Sequence, residues 1–96
     1  MRALYQPAAL EEFREAIIWY SEVAGPKQAE AFAREISAKL ELLKDHPLIG
    51  TPGIRGSRWI PLSRFPYTLH YRLAGDVIDI LAVAHQKRRP GYWRKR

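Results

Sequence analysis

The stretch from Val77 to Ala84, VIDILAVA, constrains the fold more than any other part of the chain. Apolar residues fall on both faces of it when it is extended, so it is expected as the central and most buried strand of a sheet. Just before it, Tyr67, Leu69, Tyr71 and Leu73 alternate with Thr68, His70 and Arg72, the period-two pattern of a strand with one apolar face. Gly75-Asp76 between the two suits a two-residue hairpin turn with glycine first. If Ala74 then pairs with Val77, Arg72 lies opposite Asp79 and a cross-strand ion pair is predicted. A three-residue loop would put Tyr71 there instead. A further strand is expected in RWIPL (58–62), where Pro61 confines it to an edge or a bulge.

The first half has the helical period. After a short strand candidate, RALYQ (2–6), Pro7 suits the first turn of a helix, since its missing N–H has no helical partner there. Leu10, Phe13, Ile17 and Tyr20, with Ala9 and Ala16, define an amphipathic helix over roughly 8–23, with Glu11, Glu12, Arg14 and Glu15 on its solvated face. Gly25 stops it with a left-handed cap and Pro26 opens the next helix. There Ala29, Phe32, Ala33, Ile36, Leu40 and Leu43 form one stripe, ending at Asp45-His46-Pro47. The short connection makes the helices an antiparallel hairpin. The predicted order is β-α-α-β-β-β: an α+β domain spanning residues 1–96, with the hairpin packed on a small, mostly antiparallel sheet.

The bulk properties narrow the chemistry. With no cysteine there is no disulfide framework and no thiol nucleophile, which fits a reducing cytoplasm. No apolar run approaches a membrane span, and no membrane partner is expected. His46, His70 and His85 lack metal-ligand spacing, so neither a metal nor another cofactor is expected. No phosphate-binding glycine loop or nucleophile elbow is present. The charge is lopsided: residues 1–45 hold 6 basic and 8 acidic side chains, whereas residues 46–96 hold 10 basic and 2 acidic. A basic half of this kind favours polyanions or acidic protein partners.

Candidate functional residues are therefore basic and aromatic: Arg58, Arg64, Arg72, His85, Lys87, Arg88, Arg89, Tyr92 and Trp93 among them. Such a set can grip phosphates and stack on bases, or stabilise a phosphorane-like transition state without a metal. Each also has a purely structural alternative. Arg58 and Arg64 can rim the sheet, His85 can cap the central strand through a backbone hydrogen bond, and Tyr92 and Trp93 can fold back as an apolar lid. Arg94-Lys95-Arg96 reads as a flexible, solvated end.

The whole pattern resembles the RelE/ParE superfamily of toxins from type II toxin–antitoxin systems. The residues that carry the resemblance are EAIIWYSEVAGPKQAEAFAREI, LLKDHPLIGTPG and RFPYTLHYRLAGDVIDILAVAHQKRRPGYW, in that order and over nearly the whole chain. The resemblance implies a small basic toxin held in a toxin–antitoxin hetero-oligomer by a cognate acidic antitoxin, whose disordered segment folds as it binds. Two targets are open. ParE-like members inhibit DNA gyrase by protein–protein contact, with no hydrolytic chemistry of their own. RelE-like members are ribosome-dependent endoribonucleases that cut mRNA with Arg, Lys and Tyr side chains. In many nucleases the strand reads like Y-R-L-V-Y with a catalytic Arg, whereas here YTLHY places Thr68 at that position, and Thr supplies no permanent cation. The ParE-like reading is therefore favoured. It assigns Arg58, Arg64, His85, Arg88, Arg89, Tyr92 and Trp93 to the contact surface. The nuclease reading assigns His85, Arg88 and Tyr92 to catalysis, with His85 as base or acid, Arg88 and Arg89 on the phosphate, and Tyr92 stacking or activating.

Overall fold

The computed structural model describes residues 1–96. Strand β1 (Arg2–Tyr5) leads into helix α1 (Pro7–Ala24) and helix α2 (Pro26–Asp45). Strands β2 (Thr51–Pro52), β3 (Ser57–Pro61), β4 (Tyr67–Ala74) and β5 (Val77–His85) follow. They form one five-stranded sheet of order β1-β5-β4-β3-β2, in which only the β1–β5 pair is parallel. This is the expected α+β arrangement with one addition, β2. That strand is two residues long, too short for any period to mark it.

The helical hairpin turns on Gly25, whose φ of +91° and ψ of 167° lie in a region open only to glycine. Its inner stripe packs on one face of the sheet. Phe32 and Ile36 meet Leu69 and Val83, while Ala9 and Leu43 meet Tyr71, Ile78 and Ile80. Tyr71 is fully buried, and its hydroxyl donates to the Pro47 carbonyl at 2.7 Å and accepts the Gly50 N–H at 2.9 Å. The loop after α2 is thereby fastened to the middle of the sheet.

Strand β5 is buried on both faces, as its composition requires. The hairpin covers one face, and Trp93 from the C-terminal segment covers Leu81, Ala82 and Ala84 on the other. The hairpin register is the two-residue one, with Ala74 opposite Val77, Arg72 opposite Asp79 and Gly75 at φ +62°. The ion pair expected from that register does not form. Asp79 instead accepts two bonds from the Gln6 amide at 2.9 Å, and Arg72 donates to the Arg55 carbonyl at 3.0 Å. A neighbouring element satisfies each charge at closer range than the cross-strand partner.

Two irregularities prepare the site. The register slips between His70, opposite Ala82, and Tyr71, opposite Ile80, so Leu81 is an extra residue that joins Ala82 on the outer face. In addition, β1 pairs with β5 only as far as Ile80. The remaining half of β5 therefore presents an edge with no strand beside it.

Candidate functional site

On the outer face of the sheet, away from the helices, a groove of ≈ 240 Å³ opens between the sheet and the C-terminal segment. Its floor is Thr68, His70 and Ala84, its far wall is Trp59, and its near wall is the turn carrying Arg88, Arg89 and Tyr92. His85 stands at its end, edge-on to the Tyr67 ring with centroids 5.1 Å apart. A neighbouring cavity shares Trp59, His70 and Trp93 and continues towards Ile54 and Arg94. The combined surface is cationic at one end and aromatic at the other.

The groups proposed for this surface are placed very differently. His85 Nδ1 accepts the Lys87 N–H at 3.1 Å, and the Arg88 N–H returns to the His85 carbonyl at 2.9 Å. The structural alternative for His85 is thus realised, while its neutral form carries its proton on Nε2. Arg88 and Arg89 are exposed on the groove wall, with the Arg88 guanidinium 3.9 Å above the Tyr92 ring centroid. Trp93 is 4% exposed and lies 4.6 Å from the His70 ring, so it serves as the lid rather than as a free contact.

Arg58 and Arg64 do not join this surface. Arg58 extends the opposite way from Trp59 and donates to the carbonyls of Leu48 and Gly50 at 3.0 and 2.9 Å, holding the loop after α2. Arg64 sits in the turn between β3 and β4, where its backbone N–H and that of Ser63 donate to Glu35 on α2. The Arg64 side chain is exposed there, but it lies outside the groove.

The residue that sequence reasoning passed over is Glu12. Its carboxylate leaves the solvated face expected for it and reaches the bare edge of β5, where it is 13% exposed. It accepts the Val83 N–H at 3.1 Å, the Tyr92 hydroxyl at 2.5 Å and the Arg96 guanidinium at 2.8 and 3.2 Å. Arg96 completes the cap by donating to the Leu81 carbonyl at 3.2 Å. The terminal arginine is therefore a fixed clasp, not part of a solvated tail. A carboxylate and a guanidinium have replaced the missing neighbour strand.

Two titrations are set by this packing. Burial beside Trp93 lowers the His70 imidazole to about 4, partly opposed by the nearby Glu12 charge, and its Nδ1 has no hydrogen-bond partner. Tyr92 is pushed well above the usual phenol range, first by burial and then by its bond to Glu12, against the opposing charges of Arg88 and Arg96. A phenol so held stays protonated at neutral pH and donates. It is unsuited to the role of a base.

Comparison with known proteins gives a consistent result. Residues 3–90 match the family described as the ParE toxin of the type II toxin-antitoxin system parDE. A candidate toxin of Sinorhizobium fredii, Y4kP, is 34% identical over 67 residues, which is 69% of each chain. A chain of the chromosomal ParDE system from P. aeruginosa superposes with a TM-score of 0.77 at 22% identity, covering 88% of this chain and 95% of that one. The isolated E. coli RelE toxin superposes with a TM-score of 0.62 at 20% identity, covering 98% of this chain and 93% of that one. At these identities the two structures speak to the fold.

Proposed function

Because this chain belongs to the ParE toxin family of type II toxin–antitoxin systems, we propose that it inhibits DNA gyrase by protein–protein contact and is neutralised by a cognate acidic antitoxin. The contact surface in this reading is the outer groove, with Arg88 and Arg89 as its cations, His85 at its end and Trp59 as its aromatic wall. Tyr92 and Trp93 support that surface from beneath. Arg58 holds the loop after α2 instead, and the exposed Arg64 side chain lies outside the groove.

The observation that carries this reading is the commitment of Tyr92. Its hydroxyl is donated to Glu12 and its ring carries Arg88, so it is a platform and not a free acid or base. Thr68, on the groove floor, adds no charge where the nuclease pattern has arginine. What is left is a cationic, aromatic surface on which Tyr92 serves as a platform, suited to binding.

A RelE-like endoribonuclease is the second reading, favoured by one observation: His85, Arg88 and Arg89 line the same groove. Expression of the chain without an antitoxin separates the two. Gyrase inhibition predicts relaxed or cleaved plasmid DNA with mRNA intact. Rapid codon-linked cleavage of mRNA with supercoiling preserved would reject the gyrase reading in favour of the nuclease.

A further inference from the structure

The Arg88 guanidinium is one of two exposed cations lining the groove, yet no carboxylate lies within ion-pairing distance of it. Its side-chain contact is the face of Tyr92. The Tyr92 ring carries a second cation, Arg96, at 5.2 Å from its centroid. Two like charges on one ring repel, and an exposed arginine on a flexible stem has no intrinsic reason to stay there.

Glu12 resolves both difficulties. It pairs with Arg96 and so relieves the repulsion, and it holds the Tyr92 hydroxyl and so fixes the ring. It is itself anchored, because the Val83 N–H on the bare edge of β5 donates to it. Glu12 also shares a cleft with His85 and Arg88 on the helix side of that edge. A chain of contacts thus runs from the central strand through Glu12 and Tyr92 to a cation that borders both this cleft and the outer groove. We propose that Glu12 is a positioning residue of the outer groove: through the Tyr92 hydroxyl it sets the place of Arg88, and so the geometry the groove offers a partner. This rests on the groove being the working surface.

The test compares the full chain with Glu12→Gln, Tyr92→Phe and Arg88→Ala. Above an aromatic ring the Arg88 Nε–H resonates upfield, so proton–nitrogen NMR reads its position, while the α2 amides report on the fold. Both Glu12→Gln and Tyr92→Phe are expected to lose most of that upfield shift with the α2 amides unmoved. Both are also expected to weaken growth arrest on expression to the extent that Arg88→Ala does. Retention of the shift in both variants overturns the proposal. So does a lost shift with full growth arrest when Arg88→Ala abolishes it. If Glu12→Gln fails to fold, Tyr92→Phe, which removes one oxygen atom, decides alone. If Arg88→Ala leaves growth arrest intact, the working-surface reading falls, and the NMR shift still decides whether Glu12 positions Arg88.

Discussion

The Tyr92 hydroxyl donates to the Glu12 carboxylate at 2.5 Å across 80 positions of sequence, joining the first helix to the C-terminal segment over the bare edge of the central strand. The same carboxylate serves Val83 and Arg96, so it is the point where helix, sheet and C-terminus are tied together.

Removing that carboxylate leaves a strand N–H and a phenol without their acceptor in a partly buried place, and the Arg96 guanidinium with only the Leu81 carbonyl. Glu12→Ala is therefore expected to destabilise the chain by about 2–4 kcal/mol. Equilibrium denaturation by urea measures it, and a loss below about 1 kcal/mol would mean that water satisfies these groups equally well.

His70 gives the fold a defined sensitivity to acid. Burial lowers its folded value from 6.5 to about 4, so the unfolded chain takes up the proton first. The contribution of the neutral imidazole is complete above pH 6.5, is lost progressively as the pH falls, and is gone below about 4. Its full size is up to about 3 kcal/mol, from 1.36 kcal/mol per pKa unit. His70→Phe is expected to flatten the difference in stability between pH 7 and pH 4. An unchanged difference would show that other groups carry the acid response.

Gly50 tests the anchoring of the loop. A Cβ there would meet the Tyr71 hydroxyl at 2.5 Å and Cε1 at 2.7 Å, with the Trp59 carbonyl at 3.0 Å. Since Tyr71 is fully buried it has little room to yield, and Gly50→Ala is expected to cost about 2–3 kcal/mol. A thermal melt within a degree or two of the wild type would contradict this account of the loop.

The periodic elements were legible in the sequence because their signal is local. The helical stripes, the alternation from Tyr67 to Leu73 and the two-faced burial of β5 are each read from one segment. Glu12 was not legible, because Glu11, Glu12 and Glu15 look alike along α1. What distinguishes Glu12 is that β1 stops at Tyr5 while β5 runs on to His85. The mismatch in strand length was the one available hint. Arg58 was misplaced for a similar reason: β3 alternates, and only its register with β4 shows that Trp59, not Arg58, faces the groove. Arg94 and Lys95 are exposed as their charge suggests, whereas Arg96 looks equally solvated in the sequence until a carboxylate 84 positions away is brought to it.

In the proposed function the groove acts by binding gyrase. Its most direct measurement is DNA supercoiling by purified gyrase titrated with the purified chain, beside the double variant Arg88→Ala/Arg89→Ala. The account predicts that the wild-type chain inhibits supercoiling and that the double variant, still folded, needs at least about tenfold more protein for the same effect, or roughly 1.4 kcal/mol of lost contact. Supercoiling unaffected by the wild-type chain, or inhibited equally by both proteins, would contradict it.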